Sequence, residues 1–427
     1  MVFWCGAVAT GAAAVVFAWG ADQAQALFHG ALSRYPACAW LVPPVVLALI
    51  AWLTGRYFPG SQGSGIPQTI AALSLATADA RDRLLSLRIA VGKLVLTVAG
   101  LGCGASAGRE GPTVQIGASI MHSLGRLVRF PAADLDRGLI LAGGAAGVAA
   151  AFNTPLAGIV FAIEELSRSF EEKTSGTILT TVILAGVTSV ALVGNYTYFG
   201  STSAALIDPK MWLAVPICGV VGGLAGGLFA RAMLSWREVL PMQIRVLSSE
   251  SPVKFAFVCG IIIAALGWLS SGATFGTGYS EARALVQQES AAGYWFALEK
   301  AFATLVSYMS GIPAGIFAPS LSVGAGLGGA LSLHMSFVPG GAAVVLTMAA
   351  YFAGVVQAPL TALVIVSEMT GSHSLTLPLM AAVLLGRGAS AMVCRESLYR
   401  SLSMNFVRAS QPAEIMPPTR TSSAPGR

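Results

Sequence analysis

A glutamate and an arginine, Glu110 and Arg109, lie side by side between two apolar segments of the chain. In a bilayer, each charge costs at least about 2.5 to 3.5 kcal/mol unless a partner or a cavity receives it. Gly108 and Gly111 let a ligand approach the backbone closely, and Pro112 suits the first turn of a helix. A helix start offers free N–H groups and the positive end of a dipole. The motif therefore predicts an anion site in which the Glu110 carboxylate is a titratable plug.

Three other stretches could contribute polar groups to the same site. Ser64 offers a hydroxyl within GSGIP (63–67), where a proline again lies just inside a helix start. GIFAP (315–319) offers equivalent backbone N–H groups, and Tyr399 offers a phenol after the last long apolar segment. Two plainer interpretations stay open. Ser64 could only cap a helix, and Tyr399 could lie in the aromatic belt at the membrane interface.

The composition is that of a polytopic membrane protein. Of the 427 residues, 55% are hydrophobic and 10% are charged, and the mean hydropathy is +0.73. A soluble domain carries about 25% charged residues. The many long apolar stretches predict an all-α polytopic membrane protein, and the 49 glycines and 21 prolines indicate tilted, broken and re-entrant helices. We expect the first apolar run, which follows Met1 without a basic region, to be a span rather than a cleaved signal.

Basic residues are concentrated in short loops and in the tail, whereas linkers such as 194–209 and 371–374 carry almost none. This asymmetry predicts a multi-pass protein of the cell inner (plasma) membrane with a cytoplasmic C-terminus. If the first segment crosses the membrane once, Arg34 is an exception to this asymmetry. Because the net charge of +6 comes from these positions, we expect the lipid bilayer, and no nucleic acid, as a partner. The basic residues are Arg81, Arg83, Arg88, Arg126, Arg129, Arg137, Arg237, Arg245, Lys254, Arg395, Arg400, Arg408, Arg420 and Arg427.

Cysteine and histidine give no indication of a metal or a cofactor. Both residue types are scattered singly, without a CxxC pair or the spacing of metal ligands. We therefore expect no metal and no cofactor, and we expect the cysteines to behave as small buried hydrophobic residues. These residues are Cys5, Cys38, Cys103, Cys218, Cys259, Cys394, His29, His122, His334 and His373.

The apolar segments include several that are shorter than the roughly 20 residues needed to span a bilayer, which indicates half-crossing helices buried within protein. We predict a first transmembrane half (1–195), an extracellular-type linker (196–210), a second transmembrane half (211–405) and a disordered cytoplasmic tail (406–427). The segments are 3–28, 37–56, 64–76, 89–103, 112–125, 138–151, 155–166, 176–195, 211–236, 253–270, 293–310, 316–334, 341–356, 359–370 and 375–394.

Two patterns in the first half recur in the second. The pattern G-x-x-x-P-x-x-x-x-G-A begins at Gly108 and again at Gly315. A Pro-Leu pair, with a glutamate nine positions after the proline, begins at Pro155 and again at Pro359. The offsets of 207 and 204 residues favour duplication over chance. Transporters built from two such halves, often inverted, hold their substrate between the halves near the midplane.

GSGIP, GREGP (108–112) and GIFAP, in this order and rough spacing, closely resemble the CLC family of chloride channels and chloride/proton antiporters. The resemblance covers about residues 1–405 and is to prokaryotic-type members without CBS domains. It implies a homodimer in which each subunit has two inverted halves and its own anion path. It also implies that the chain transports chloride and protons and is not an enzyme.

The resemblance assigns roles to individual residues. Ser64 and Tyr399 would be side-chain donors to a central chloride, and the backbone N–H groups of Ile316 and Phe317 would be further ligands. Glu110 would be the gating glutamate that occupies the outer anion position when it is ionised. The chemistry agrees, because neutral donors can replace the water around chloride without binding it too tightly for release.

Glu164 and Glu165 end an apolar segment and, taken alone, indicate a solvated cytoplasmic helix end. They follow the family-like NTPLAG (153–158), and the resemblance implies that Glu165 is the internal proton acceptor. This second acid favours a chloride/proton antiporter. A passive chloride channel of the same fold is the alternative, since channel members commonly lack that acid. Ser64 argues against a fluoride exporter, because fluoride-type relatives usually replace this serine.

Two charged residues need partners. Lys93 matches a family lysine, but the acid often found beside it falls on Ile70 here, so Lys93 is neutral, snorkelling or paired elsewhere. We assign Arg109 no ligand role and expect it to anchor backbone or to pair structurally.

One sequence pattern suggests an enzyme instead of a transporter, since Ser106 lies in a G-x-S-x-G sequence. That pattern requires a strand–turn–helix context and a histidine base, and neither is visible.

Overall fold

A computed structural model describes residues 2–128, 133–167, 172–194, 196–289 and 293–410. Within these ranges the chain is helical apart from its connections, and the β pairs there are two isolated bridges. The predicted all-α fold is therefore confirmed. The last helix continues to Ser410, into the stretch predicted as a disordered tail. The rest of that predicted tail, 411–427, lies outside the described residues.

The helices of the first half are α1 (Val2–Arg34), α2 (Cys38–Tyr57), α3 (Ile66–Ser74), α4 (Ala78–Asp82), α5 (Leu87–Leu101), α6 (Glu110–Val128), α7 (Ala133–Phe152), α8 (Pro155–Phe161) and α9 (Glu172–Val193). A π-helical segment, Ala162–Ser167, directly follows α8. The helices of the second half are α10 (Ala214–Val239), α11 (Met242–Glu250), α12 (Pro252–Leu269), α13 (Tyr279–Gln287), α14 (Phe296–Met309), α15 (Phe317–Ser332), α16 (Gly340–Val356), α17 (Pro359–Thr370), α18 (Thr376–Ala391) and α19 (Leu398–Ser410). Short 3₁₀ helices precede α10 and α18, at Pro209–Leu213 and His373–Leu375.

Every predicted apolar segment corresponds to a helix, with ends that differ by a few residues. Six helical stretches of the described chain are long and apolar enough to cross a membrane. Large apolar side chains remain exposed on them, including Trp19, Leu41 and Trp268, as expected for a surface that faces lipid. The sequence did not predict α4, α11, α13 or α19, because these short helices carry too many polar residues to form an apolar run.

Small residues let the helices of the second half pack backbone against backbone. A Cβ atom on Gly223 of α10 would lie 2.2 Å from the carbonyl oxygen of Gly386 on α18. A Cβ atom on Gly354 of α16 would lie 2.7 Å from the Gly223 oxygen. Close approach of this kind is how helices associate in lipid, where burial of apolar surface gives little advantage.

The repeated motifs of the two halves meet in space. Gly108 N donates to Gly315 O at 2.6 Å, and Gly315 N donates to Gly108 O at 3.0 Å, which forms an antiparallel bridge. Gly63 forms a second bridge to the same strand-like stretch, by donating to Ile312 O and accepting from Ala314 N. These bonds bring GSGIP, GREGP and GIFAP to one place in the interior.

Each of the two repeated glutamates contacts the half of the protein to which it does not belong. Glu164, from the first half, accepts from Leu360 N at 3.2 Å and from Thr361 N, at the start of α17. Glu368, from the second half, accepts from Leu156 N and Ala157 N at the start of α8. Each carboxylate therefore caps the short helix of the other half, where free N–H groups and the helix dipole favour an anion. This reciprocity is what a two-fold relation between the halves requires.

Candidate functional site

Three helix N-termini and the start of α19 converge on one buried region. Gly111, in the first turn of α6, must be a glycine because a Cβ atom there would lie 2.4 Å from Ser64 Oγ. A Cβ atom on Gly65, at the start of α3, would likewise come too close to Gly111 O. The φ of +106° at Gly65 also favours glycine. The beginnings of α3 and α6 are thus in direct contact.

Ser64 is 1% exposed, and among the described residues the polar side chain that reaches its hydroxyl is Tyr399. The interpretation of Ser64 as a helix cap is wrong. The N-cap of α3 is Gly65, and Gln68 Oε1 accepts from Gly65 N at 3.1 Å. A buried hydroxyl is costly unless polar groups meet it, so the Ser64 hydroxyl is a candidate ligand-binding group.

Tyr399 is fully buried, so the alternative placement in an interfacial aromatic belt is wrong. Its phenol lies close enough to Ser64 to interact, and it is within electrostatic range of both Glu110 and Glu165. Tyr399 follows the loop that precedes α19, which the sequence suggested only through its resemblance. The phenol thus lies beside the Ser64 hydroxyl and within reach of both acids.

The N-terminus of α15 lies against the GREGP motif, since a Cβ atom on Gly108 would lie 3.3 Å from Ala318 N. The first backbone bond of this helix is donated by Ser320 N to Ile316 O, so the N–H groups of Ile316, Phe317 and Ala318 precede the helical ladder. The Phe317 ring is buried among aromatic residues. Its ring centroid lies 5.0 Å from that of Phe152, 6.4 Å from that of Phe161 and 4.3 Å from that of Phe352.

Glu110 is 1% exposed and lies between these helix starts. Its Oε1 accepts from the Tyr198 hydroxyl at 3.1 Å. The carboxylate also interacts with Ala318 N, and a Cβ atom on Gly108 would lie 2.4 Å from Glu110 Oε2. Sequence reasoning missed Tyr198, because it lies in the linker between the halves, 88 residues away along the chain.

Arg109 pairs structurally, as expected. Its Nη1 donates to Ala18 O at 2.9 Å and to Asp22 Oδ1 at 2.8 Å, both on α1. The guanidinium also lies 5.8 Å from the centroid of the Tyr198 ring. These contacts fix the backbone next to Glu110.

Glu165 is buried in the π-helical segment, and Ser397 Oγ donates to its Oε1 at 3.2 Å. Ser397 comes two residues before Tyr399, so the loop that touches Glu165 leads directly into the start of α19, which supplies the phenol. That proximity along the chain was the only signal that could have identified Ser397. Glu164, the adjacent acid, points away into its capping contact with α17.

Lys93 is fully buried, so it does not snorkel. Its Nζ donates to Ser61 O at 2.7 Å and to Gly63 O at 2.6 Å, which makes backbone carbonyls its partners in place of the missing acid. Lys300, 207 residues later, is buried in the same way and donates to Thr274 O and Gly276 O. The stretch 276–280 is therefore the counterpart of GSGIP, a repeat that the sequence analysis did not detect.

Two cavities open on the region. The first, of about 810 Å³ and here named the Tyr198 cavity, is lined by Arg109, Tyr198 and residues 277–280, among others. The second, of about 610 Å³ and here named the Ser64 cavity, is lined by residues 62–64 and by Arg237, among others. The two equivalent loops therefore face different cavities, as they must in two halves of inverted topology.

The enzyme alternative has no support at Ser106. The Ser106 hydroxyl is buried and lies 2.9 Å from Thr304 Oγ1, and its backbone N–H donates to Ser307 Oγ. A threonine cannot act as the base that the nucleophile pattern requires. Within the described ranges, His, Cys, Asp and Glu form no group of three or more that could hold a metal ion.

Comparisons with known proteins agree with this architecture. A family described as voltage gated chloride channel matches residues 46–391. The H(+)/Cl(-) exchange transporter ClcA of Cronobacter sakazakii is 30% identical over 372 residues, 82% of this chain and 76% of that protein. The protein of the same name from Citrobacter koseri is 30% identical over 393 residues, 87% of this chain and 80% of that protein.

Solved structures give the same picture. A slow cyanobacterial Cl-/H+ antiporter superimposes with a TM-score of 0.83 at 26% identity, and the match covers 95% of this chain and 97% of that one. A CLC-type fluoride/proton antiporter superimposes with a TM-score of 0.76 at 23% identity, over 94% of this chain and 96% of that one. The second similarity shows the fold alone.

Proposed function

Because the chain belongs to the voltage-gated chloride channel family, we propose that it is a chloride/proton antiporter gated by Glu110. One observation carries the proposal. A buried carboxylate, Glu110, lies at the meeting point of helix N-termini and bonds to Tyr198, which lines one cavity, while Ser64 lines another; a second buried carboxylate, Glu165, is within electrostatic range of Tyr399. Burying two acids in a membrane interior is costly, and residues of this kind mark proton and ion pathways.

The anion binds between Ser64, Tyr399 and the backbone N–H groups of Ile316 and Phe317. These are neutral donors, so they stabilise a dehydrated chloride without the tight pairing that a lysine or an arginine would impose. The start of α15 adds the positive end of a helix dipole. The buried Ser64 hydroxyl lies close to the Tyr399 phenol and lines the Ser64 cavity, and both observations support this role.

Glu110 alternates with the anion. When it is ionised, its carboxylate occupies the start of α15 next to the chloride donors, where it contacts Ala318 N, and so keeps an anion out of that position. Once protonated, it loses that attraction and moves aside. Proton binding and chloride passage are thereby linked through one side chain.

Glu165 loads protons from the other side of the protein. Phe152, Phe161 and Phe317 pack on one another in the interior and offer no proton-carrying side chain, so in this proposal water bridges the two acids. The buried Glu165 favours the antiporter over the passive channel, and the serine at 64 favours chloride over fluoride.

In the cell, this multi-pass membrane protein lies in the inner membrane with its basic loops and C-terminus in the cytoplasm. It acts as a homodimer whose subunits each carry a complete path. A complete path in each subunit agrees with the site, because the groups invoked above meet within one chain.

The test is to reconstitute the protein in liposomes and to record chloride efflux and chloride-driven proton uptake on the same preparation. Wild type should take up protons against their gradient. Glu110→Gln should keep chloride flux but lose proton uptake and pH dependence, because a glutamine cannot be ionised. Glu289→Gln, at an exposed position of the chain, is the control. Chloride flux without proton uptake in wild type would instead support the channel.

A further inference from the structure

We infer that Tyr198 is a positioning residue that holds the Glu110 carboxylate across the anion path, so that the linker between the halves sets how readily the gate opens. The inference rests on the proposed function, because it takes Glu110 to be the gate. Nothing in the sequence singled out this tyrosine, which lies within a stretch predicted only as an extracellular-type linker.

The contact favours one state of Glu110. The Tyr198 hydroxyl donates to Glu110 Oε1 at 3.1 Å, and both residues are 1% exposed. A phenol that donates to an ionised carboxylate forms a charge-assisted hydrogen bond, which is stronger than a bond between neutral groups. Glu110 gives up this bond whenever it swings out of the path. Tyr198 therefore stabilises the ionised, closed position relative to the protonated, open one.

The Tyr198 ring is held on several sides. The rings of Phe152, Phe199 and Tyr279 meet it edge to face, with centroids at 5.4, 4.9 and 4.9 Å. The Arg109 guanidinium lies 5.8 Å from its centroid, within the range of a cation–π contact. A ring enclosed in this way keeps its hydroxyl aimed at Glu110.

The linker around Tyr198 is fastened to both halves of the protein. Asn153, at the end of α7, donates through Nδ2 to Tyr196 O at 3.0 Å. Phe199 N donates to Met369 O on α17 at 2.9 Å. Gly200 has a φ of +76°, and a Cβ atom there would lie 2.6 Å from the Gln287 side chain of α13. A shift between the halves would therefore move Tyr198 relative to Glu110.

Tyr198 contacts Glu110 and also lines the Tyr198 cavity. Tyr198 and Arg109 line the Tyr198 cavity, so the phenol stands where an anion would enter or leave on that side. The titratable and charged groups that face Glu110 and its partners come from several elements. They are Arg109, Asp22 on α1, Tyr196 and Tyr198 in the linker, Tyr279 on α13, Tyr399 on α19 and Glu165 in the π-helical segment. Among these described side chains, Tyr198 is the one that forms a hydrogen bond with the Glu110 carboxylate.

The test is Tyr198→Phe, which keeps the ring and removes only the donor. Chloride flux at neutral pH should rise about tenfold, since a hydrogen bond to a charged group is lost from the closed state. The pH of half-maximal flux should move up by about one unit, because Glu110 is protonated more easily without that donor. Proton coupling should persist, because Glu110 and Glu165 are intact.

The matched control is Tyr279→Phe. Tyr279 packs on the same ring, but its hydroxyl accepts from Arg283 Nη1 at 3.0 Å on the exposed side, so its loss should leave the pH profile unchanged. Placing 3-fluorotyrosine at position 198 keeps the shape and strengthens the donor. This variant should slow chloride flux and move the pH of half-maximal flux to a lower value. It also keeps the inference testable if Tyr198→Phe does not fold.

A double variant separates this inference from the proposed function. In a Glu110→Gln background, Tyr198→Phe should have no further effect on chloride flux or its pH dependence. An equal effect in both backgrounds, or a wild-type profile for both position-198 variants, would overturn the positioning role. If Glu110→Gln itself retained pH dependence and proton uptake, the gate assignment would fail, whatever Tyr198 does.

Discussion

At the level of single residues, the adjacent acids Glu164 and Glu165 have opposite surroundings. Glu165 is buried and bonded to the neutral hydroxyl of Ser397. Glu164 is half-buried and accepts two backbone N–H bonds at the start of α17. The Glu164 carboxylate is therefore committed to a structural contact at the N-terminus of another helix, whereas Glu165 lies within electrostatic range of Tyr399. Of the two, Glu165 is therefore the better proton carrier.

Glu165→Gln should keep chloride flux and abolish uphill proton movement, because an amide cannot carry the proton on. The measurement is proton uptake driven by a chloride gradient, with chloride efflux from the same liposomes. Glu164→Gln is the matched control and should remain coupled. Undiminished proton uptake by Glu165→Gln would remove it from the proton path.

The sequence could predict the residues whose roles depend on local motifs. Ser64 and Glu110 lie in glycine-rich helix starts, and these starts do converge. Tyr198 and Ser397 could not be predicted in the same way, because each acquires its partner from a distant part of the chain. Their side chains are ordinary for a linker and a loop, so no spacing or composition distinguishes them before the chain folds.

At the level of elements, the segment after α8 is a π-helix where the sequence favoured a plain helix end. Ala162–Ser167 contains no proline or glycine that would announce the change. Single π-helical turns often occur at functional sites, since the extra residue re-aims the side chains that follow. Here the two acids in this segment serve different partners, one inside the protein and one at the neighbouring half.

The two buried lysines act on equivalent loops with unequal consequences. Lys93 on α5 holds the backbone on both sides of Gln62, directly before Ser64. Lys300 on α14 holds the equivalent stretch before Thr277, which lines the Tyr198 cavity. Removing either side chain leaves two buried carbonyl oxygens without their donor, at a cost of about 1 to 3 kcal/mol each.

Lys93→Met and Lys300→Met should therefore both lower the melting temperature of the purified protein. Only Lys93→Met should also weaken chloride binding, by about tenfold, since roughly 1.4 kcal/mol of lost binding energy corresponds to that factor. Calorimetric titration with chloride, at a temperature where both variants are folded, makes the comparison. Equal chloride affinities in the two variants would show that the loop before Ser64 does not shape the anion site.

At the level of the whole molecule, the two halves interlock at equivalent points. Gly108 and Gly315 pair their backbones at the centre, and Glu164 and Glu368 cap each other's short helices. The repeat was visible in the sequence because these positions demand particular residues, glycine for close approach and glutamate for capping. The loop 276–280 escaped notice because it shares only its two glycines with GSGIP.

The reciprocal caps give a test of the relation between the halves. Glu164→Gln and Glu368→Gln should each destabilise the protein by a similar amount, about 1.5 to 3 kcal/mol, since each removes charged hydrogen bonds to a helix N-terminus. Glu396→Gln is the control, because Glu396 is exposed and accepts only from Ser401 Oγ among its described side-chain contacts. The measurement is thermal unfolding in detergent, alongside chloride flux in liposomes. If the halves are held together symmetrically, the two variants should match in stability and both keep coupled transport. A large loss for one glutamate and none for the other would mean that a single half carries the interface and that the capping contacts are not equivalent.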